Sequence, residues 1–294
     1  MGAPAEGDRY GDALPVEHRY ADNDGVRIHY ALLGEGPTVV LLHGFPDYWY
    51  TWRHQIPALA AGHRVAAVDL RGYNRSDAPR GEAHYAMPHL VRDVLAVLKD
   101  LGVVSASIVG HDWGAAIGWE LAMHVPTAVE RLAVLSVPHP AGLLRELATN
   151  PEQREASRYA WDFQSVEAHR ALTAERLAEW VQDPPARRRY VEAFERSDFQ
   201  AMLHYYRQNY PAEAGRPARP AVAPPPVRVP VLVVHGKDDA ALRAAGHGGT
   251  WEWVHAEMNL LLLHGVGHFV QHEASERVTR ALLDWLRPPV ESKS

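Results

Sequence analysis

The sequence predicts an α/β fold: a mostly parallel sheet flanked by helices, with an α-helical cap inserted late in the chain. Three observations carry this. Short apolar runs bounded by turn residues recur along the chain, helical patterns alternate with them, and after Ser136 the alternation gives way to a long helical stretch before the strands resume. A short apolar run between turn residues reads as a strand buried on both faces, and strands alternating with helices read as βαβ units around a parallel sheet.

In chain order, Val26 to Leu33 reads as an antiparallel strand near the start. The apolar strands are Thr38 to Leu42, Val65 to Val68, Ala106 to Val109, Leu132 to Ser136, Val231 to Val234 and Leu260 to Leu263. Between the second and third of these, Pro88 to Leu101 places Leu90, Val94, Val97, Leu98 and Leu101 at helical spacing. From about His139 to Tyr210 the chain turns to helix-like segments rich in Arg, Glu and Ala, such as Arg158 to Phe163, Ala174 to Val181 and Arg188 to Phe194. PAEAGRPARPAVAPPPVRVP follows, too rigid and too poor in donors for a helix or a central strand, and suits an extended return to the sheet. The expected division is a core of residues 1–138 and 226–294 around a cap of residues 139–225. No internal repeat is visible.

A chain of 294 residues favours one large core carrying an insertion over two independent domains. With 47% hydrophobic and 22% charged residues and a net charge of -6, the composition is that of an ordinary globular protein. Nucleic acid and anionic membranes attract basic surfaces, so mild acidity argues against both as partners, and a small neutral ligand fits better. The absence of cysteine excludes disulfides, thiolate metal sites and thiol nucleophiles. The N-terminal segment has no apolar h-region and no run approaches the roughly 18 apolar residues that span a bilayer, so a cytoplasmic location is expected.

The chemistry-bearing residues stand where strands end. Ala106 to Val109 runs into Gly110-His111-Asp112-Trp113-Gly114, then into the helical Ala115 to Met123. Glycines two before and two after a central residue permit the tight strand-to-helix turn that lifts that side chain above the sheet, and the helix N-terminus beneath favours an anion. An Asp at this place also reads as a helix N-cap, so the pentapeptide alone is ambiguous. His43-Gly44-Phe45-Pro46 closes the first apolar strand; in an elbow fold that loop donates one oxyanion-hole N–H and the residue after the nucleophile the other, making Phe45 and Trp113 the candidates. An ordinary βα turn explains the tetrapeptide equally well. Later strands run into Gly236-Lys237-Asp238-Asp239 and Gly265-Val266-Gly267-His268-Phe269. Taken singly, Asp239 is a turn residue and His268 one of 18 histidines. Their order, nucleophile then acid then histidine, is that of an α/β-hydrolase triad.

The ordered set HGFP, DLRGYNRSD, VGHDWGAAIGWE, SVPHP, GKDDAAL and GVGHFVQHE resembles the α/β-hydrolase-fold epoxide hydrolases, with haloalkane dehalogenases as close relatives. The resemblance runs from about Val26 to Leu286. It implies Asp112 as nucleophile, His268 as base and Asp239 as its partner; Asp239 is preferred to Asp238 because the family's acid lies three residues after the strand-end glycine. It also implies two cap tyrosines that hold the epoxide oxygen. Tyr159 in RYAWDFQ and Tyr206 in LHYYRQN stand in similar contexts, with Tyr205 competing for the second role, although cap tyrosines also serve simply as packing. Two departures stand out: Asn74 replaces the glycine usual after the RGY triplet, and Arg243 to Trp253 is unexpectedly rich in glycine and tryptophan.

The nucleophile type decides the reaction class. Serine attacking an alkyl carbon leaves an ether that no base hydrolyses usefully, whereas aspartate leaves an ester whose carbonyl accepts an activated water. The expected reaction turns a small-molecule epoxide and water into a vicinal diol, with no cofactor and no metal; His264 and His268, four apart in a Gly-containing loop, are weak grounds for one. A homodimer is compatible with the sequence. Two other readings stay open: a haloalkane or haloacid dehalogenase, with Trp113 and Trp161 as halide donors, and a non-catalytic receptor that binds a ligand on the same fold.

Overall fold

In the computed structural model, which describes residues 14–211 and 224–287, eight strands form one sheet in the order β1-β2-β4-β3-β5-β6-β7-β8. They are β1 (Glu17–Asn23), β2 (Val26–Leu33), β3 (Thr38–Leu42), β4 (Arg64–Val68), β5 (Ala106–His111), β6 (Val129–Leu135), β7 (Val231–Gly236) and β8 (Met258–Leu263). β2 pairs antiparallel with β1 and β4, and every other pairing is parallel. Strands β3, β5 and β7 are buried at every position, which is why they read as unbroken apolar runs.

The first hairpin was not anticipated in full. β1, EHRYADN, is a mostly part-exposed edge strand with no continuous apolar face, so periodicity misses it. Its turn residues Asp24 and Gly25 have φ of 53° and 86°, the two left-handed positions that a two-residue hairpin loop requires. Ser136, read as the end of a strand, falls just beyond β6 with a φ of 64°.

Around the sheet lie α1 (Ile56–Ala60), α2 (Met87–Asp100), α3 (Trp113–His124), α10 (Val270–Glu273) and α11 (Ser275–Leu286). The buried apolar residues of α2, Leu90, Val94, Val97 and Leu98, form one stripe. α3 buries most of its side chains, including Ile117, Trp119 and Leu121, and leaves Ala116, Glu120 and His124 as its less buried face. Between β6 and β7 come α4 (Pro140–Thr149), α5 (Pro151–Ala156), α6 (Arg158–Asp162), α7 (Ala174–Leu177), α8 (Pro184–Arg196) and α9 (Phe199–Asn209). α7 ends sooner than the expected Val181, and Trp180 beyond it lies stacked on Phe269 at 4.0 Å. Much of the proline-rich return, residues 212–223, lies outside the described residues.

The helical insertion is tied to the sheet through the loop after β4. Buried Asp69 accepts from His29 Nδ1 at 2.6 Å, Trp49 N at 2.9 Å and Asn74 Nδ2 at 2.7 Å. Arg71 donates Nε to Asp93 Oδ2 at 2.6 Å, and Asp77 holds Arg27; much of the DLRGYNRSD motif thus fixes a loop. Asn74 has a φ of 46°, which Asn tolerates better than most residues with a Cβ. Its Oδ1 accepts from Arg196 Nε at 2.9 Å and its N–H donates to Ser197 Oγ at 2.8 Å. Asn74→Gly is expected to keep the backbone and its N–H bond to Ser197 but lose the side-chain bonds to Asp69 and Arg196, lowering stability in urea unfolding by about 1–3 kcal/mol, the cost of under-satisfying a buried polar partner. The glycine-rich departure, residues 243–253, folds as two short 3-10 turns against α4, where Arg145 donates to the carbonyls of Ala245 and Gly248.

Candidate active site

Order reverses across β3, which has β4 on one side and β5 on the other, and in open α/β sheets ligands bind beyond the strand ends at such a point. Asp112 follows β5 there with φ 49° and ψ -120°. This strained conformation for a residue with a Cβ costs on the order of 1–3 kcal/mol and persists where surroundings enforce it. They do: a Cβ on Gly114 would lie 2.2 Å from the carbonyl oxygen of Leu42, and one on Gly44 would lie 2.2 Å from the Cβ of Asp112. Asp112 occupies the N-cap position of α3 but makes no side-chain cap bond. Its Oδ1 accepts from the backbone N–H of Phe45 at 2.7 Å, and its Oδ2 lies 3.5 Å from His268 Nε2.

His268 sits in the loop between β8 and α10, with Nδ1 2.7 Å from Asp239 Oδ2. The other oxygen of Asp239 accepts from the backbone N–H groups of Ala241 at 2.8 Å and Leu242 at 2.9 Å. Asp238 is exposed. Burial opposes charge on all three groups, yet mutual attraction prevails. Asp112 is held below its usual range by His268 and the Phe45 N–H, and Asp239 by His268 and the Leu242 N–H. Although burial disfavours the imidazolium, Asp239 and Asp112 push His268 up to about 10.

Two residues that the sequence reading passed over fix the histidine loop. His111 Nε2 lies 3.0 Å from the carbonyl oxygen of His268, and Ser136 Oγ donates to the same oxygen at 2.7 Å. Burial lowers His111 to about 4, so its neutral ring donates through Nε2. The visible clue was a polar side chain closing a strand buried at every position, since a buried imidazole needs a hydrogen-bond partner.

Asp112 opens on a cavity of about 50 Å³ whose walls include Trp113, Tyr159, Tyr206, Tyr210 and Leu242. Tyr159 and Tyr206 lie with ring centroids 6.1 Å apart. Burial, then the nearby Asp112 carboxylate, raises both phenols well above 10, so they stay protonated. Tyr205 points elsewhere, its OH donating to the carbonyl of Arg71 at 2.9 Å. Trp161 Nε1 donates to the carbonyl of Pro211 at 3.0 Å, whereas Trp113 Nε1 is buried without a hydrogen-bond partner. His264 is exposed, and among the described residues no cluster of three or more His, Asp or Glu is placed to hold a metal ion. No helix among them is long and apolar enough to cross a membrane.

The α/β-hydrolase-fold family profile matches residues 37–275. Epoxide hydrolase 3 of Xenopus tropicalis is 30% identical, over 90% of this chain and 76% of its own length. Epoxide hydrolase 2 of Caenorhabditis elegans is also 30% identical, over 89% and 77%. Among solved structures, an epoxide hydrolase from Bacillus megaterium, in complex with its diol product, superposes with a TM-score of 0.84 at 32% identity, covering 91% of this chain and 99% of that one. An epoxide hydrolase from Vigna radiata gives 0.77 at 29% identity, with 94% and 99% covered.

Proposed function

The chain belongs to the α/β-hydrolase-fold family and to its epoxide hydrolases, and from that membership we propose how its own residues carry the conversion of an epoxide and water to a vicinal diol. Asp112 Oδ2 attacks a ring carbon while Oδ1 stays on the Phe45 N–H; the carbon–oxygen bond of the ring breaks and an ester forms. The departing oxygen takes a proton from Tyr159 or Tyr206, since an opening epoxide develops alkoxide charge that a positioned phenol neutralises. His268, oriented by Asp239, then removes a proton from water, which attacks the Asp112 carbonyl. The Phe45 and Trp113 N–H groups hold the resulting oxyanion, and its collapse frees the diol and the carboxylate.

Charge supports this sequence of events. Before reaction His268 lies between two anions and keeps its proton. Alkylation turns Asp112 into a neutral ester, removes one of those anions and lowers the imidazole's proton affinity; the proton it gives up restores the phenol that protonated the ring oxygen, and the neutral ring is then free to take a proton from water. The insertion of residues 139–225 serves as the cap that supplies the phenols.

The observation that carries the proposal is the meeting of one elbow carboxylate and two phenols on a single cavity. A leaving halide is a weak base satisfied by N–H dipoles, and Trp113 Nε1 offers one, so the phenols are the discriminating groups. Tyr159→Phe and Tyr206→Phe are each expected to slow single-turnover ester formation from an epoxide by about 10- to 1000-fold, the range of acid and oxyanion catalysis. Faster alkylation by a haloalkane, insensitive to loss of both phenols and lost in Trp113→Phe, would assign the site to dehalogenation.

A further inference from the structure

A second cavity, of about 150 Å³, adjoins the first. Trp113, Ala116, Val137, Leu143 and Tyr210 line both, so the two lie side by side on shared walls. A dry apolar cavity of about 150 Å³ accommodates benzene. The one over Asp112, at about 50 Å³, has a third of that volume and suits a three-membered ring with little attached. The larger cavity is walled by flat and apolar groups, Trp113, Trp119, Pro138 and Leu143 among them, with one carboxylate, Glu120.

We propose that the preferred substrate is a neutral terminal epoxide bearing a single aromatic ring, the oxirane over Asp112 and the ring in the larger cavity, with Glu120 excluding substituents that end in a carboxylate. This rests on the epoxide-hydrolase assignment above and adds to it the shape and charge of the substrate. An epoxide with a long tail on each ring carbon must house two tails, and with one in the larger cavity only about 50 Å³ is left for the oxirane and the other. Aromatic walls favour an aromatic guest through edge and face contacts beyond area burial.

Glu120 adds a charge filter. Its side chain is 28% exposed, and Oε2 lies 3.3 Å from Nε2 of the exposed His124. Burial raises its pKa, a sign that the carboxylate is already poorly hydrated where it stands. A second carboxylate brought beside it meets repulsion in a medium of reduced dielectric, weakly screened by salt.

The test measures kcat/KM of the purified full chain, wild type and Glu120→Gln, for four epoxides: phenyloxirane, para-carboxyphenyl oxirane, methyloxirane, and an internal epoxide with an alkyl tail on each ring carbon. The ratio between two substrates in one variant does not depend on how much of that variant is folded. Phenyloxirane is expected to exceed methyloxirane and the internal epoxide by roughly 10- to 200-fold, the usual return on filling an apolar pocket. It should exceed the para-carboxy analogue by about 10-fold in wild type, with most of that preference gone in Glu120→Gln. An internal epoxide equal to or better than phenyloxirane, or a carboxylate discrimination unchanged in Glu120→Gln, would overturn the proposal. Turnover of none of the four would overturn the epoxide assignment itself, and this inference with it.

Discussion

Asp112→Ala is expected to lower kcat by roughly a million-fold, the scale seen when a covalent nucleophile is removed, with the far-ultraviolet circular dichroism spectrum unchanged. Asp112 makes no capping bond to α3, so its removal takes away no helix-terminal hydrogen bond. Its loss leaves the Phe45 N–H without its 2.7 Å acceptor and His268 with Asp239 as its one remaining anion. The first site can take water, and the second lowers the pKa of the imidazole below the wild-type value of about 10. Diol formation is the readout, and near-normal activity in Asp112→Ala would remove the carboxylate from the mechanism.

His268→Gln separates the two half-reactions. Ring opening draws on Asp112 and the phenols, whereas ester hydrolysis needs a base for water, so the variant is expected to accept one epoxide and stop. Intact-protein mass spectrometry should show the chain heavier by one substrate, with the modified peptide containing Asp112. The adduct should persist for hours where the wild type turns over. Loss of activity with no adduct would place His268 before or during ring opening. Asp112 is held ionised by the Phe45 N–H as well as by His268, which is why alkylation should survive the loss of the imidazole.

The parts of the molecule legible from sequence are those where a single physical demand dominates. Strands buried on both faces can be little else than apolar, and β3 was located to the residue while β5 and β7 were found slightly short. The elbow at Asp112 was legible because its close packing admits glycine alone at Gly110 and Gly114. Edge strand β1 was not, because a strand with one neighbour and a part-exposed face has no need of an apolar pattern. Ring packing is equally silent in sequence: Tyr205 and Tyr206 are adjacent and alike, and only the turn of α9 directs one to Arg71 and the other to the cavity at Asp112. The clamp on His268 was missed for a related reason, since His111 and Ser136 act on a backbone carbonyl, and the partner of His111 lies 157 residues further along the chain.

The place of each group in the sheet also sets how firmly it is held. Asp112 follows a central strand, while His268 follows β8, an edge strand with one neighbour and with Leu260 and Leu262 partly exposed. Local opening begins at such edges, where the fewest contacts must break. With the roles proposed above, a molecule whose β8 loop has momentarily lifted still carries its nucleophile but has lost its base. An ester formed in that interval waits for the loop to return, and the bonds from His111, Ser136 and Asp239 to His268 are what bring it back.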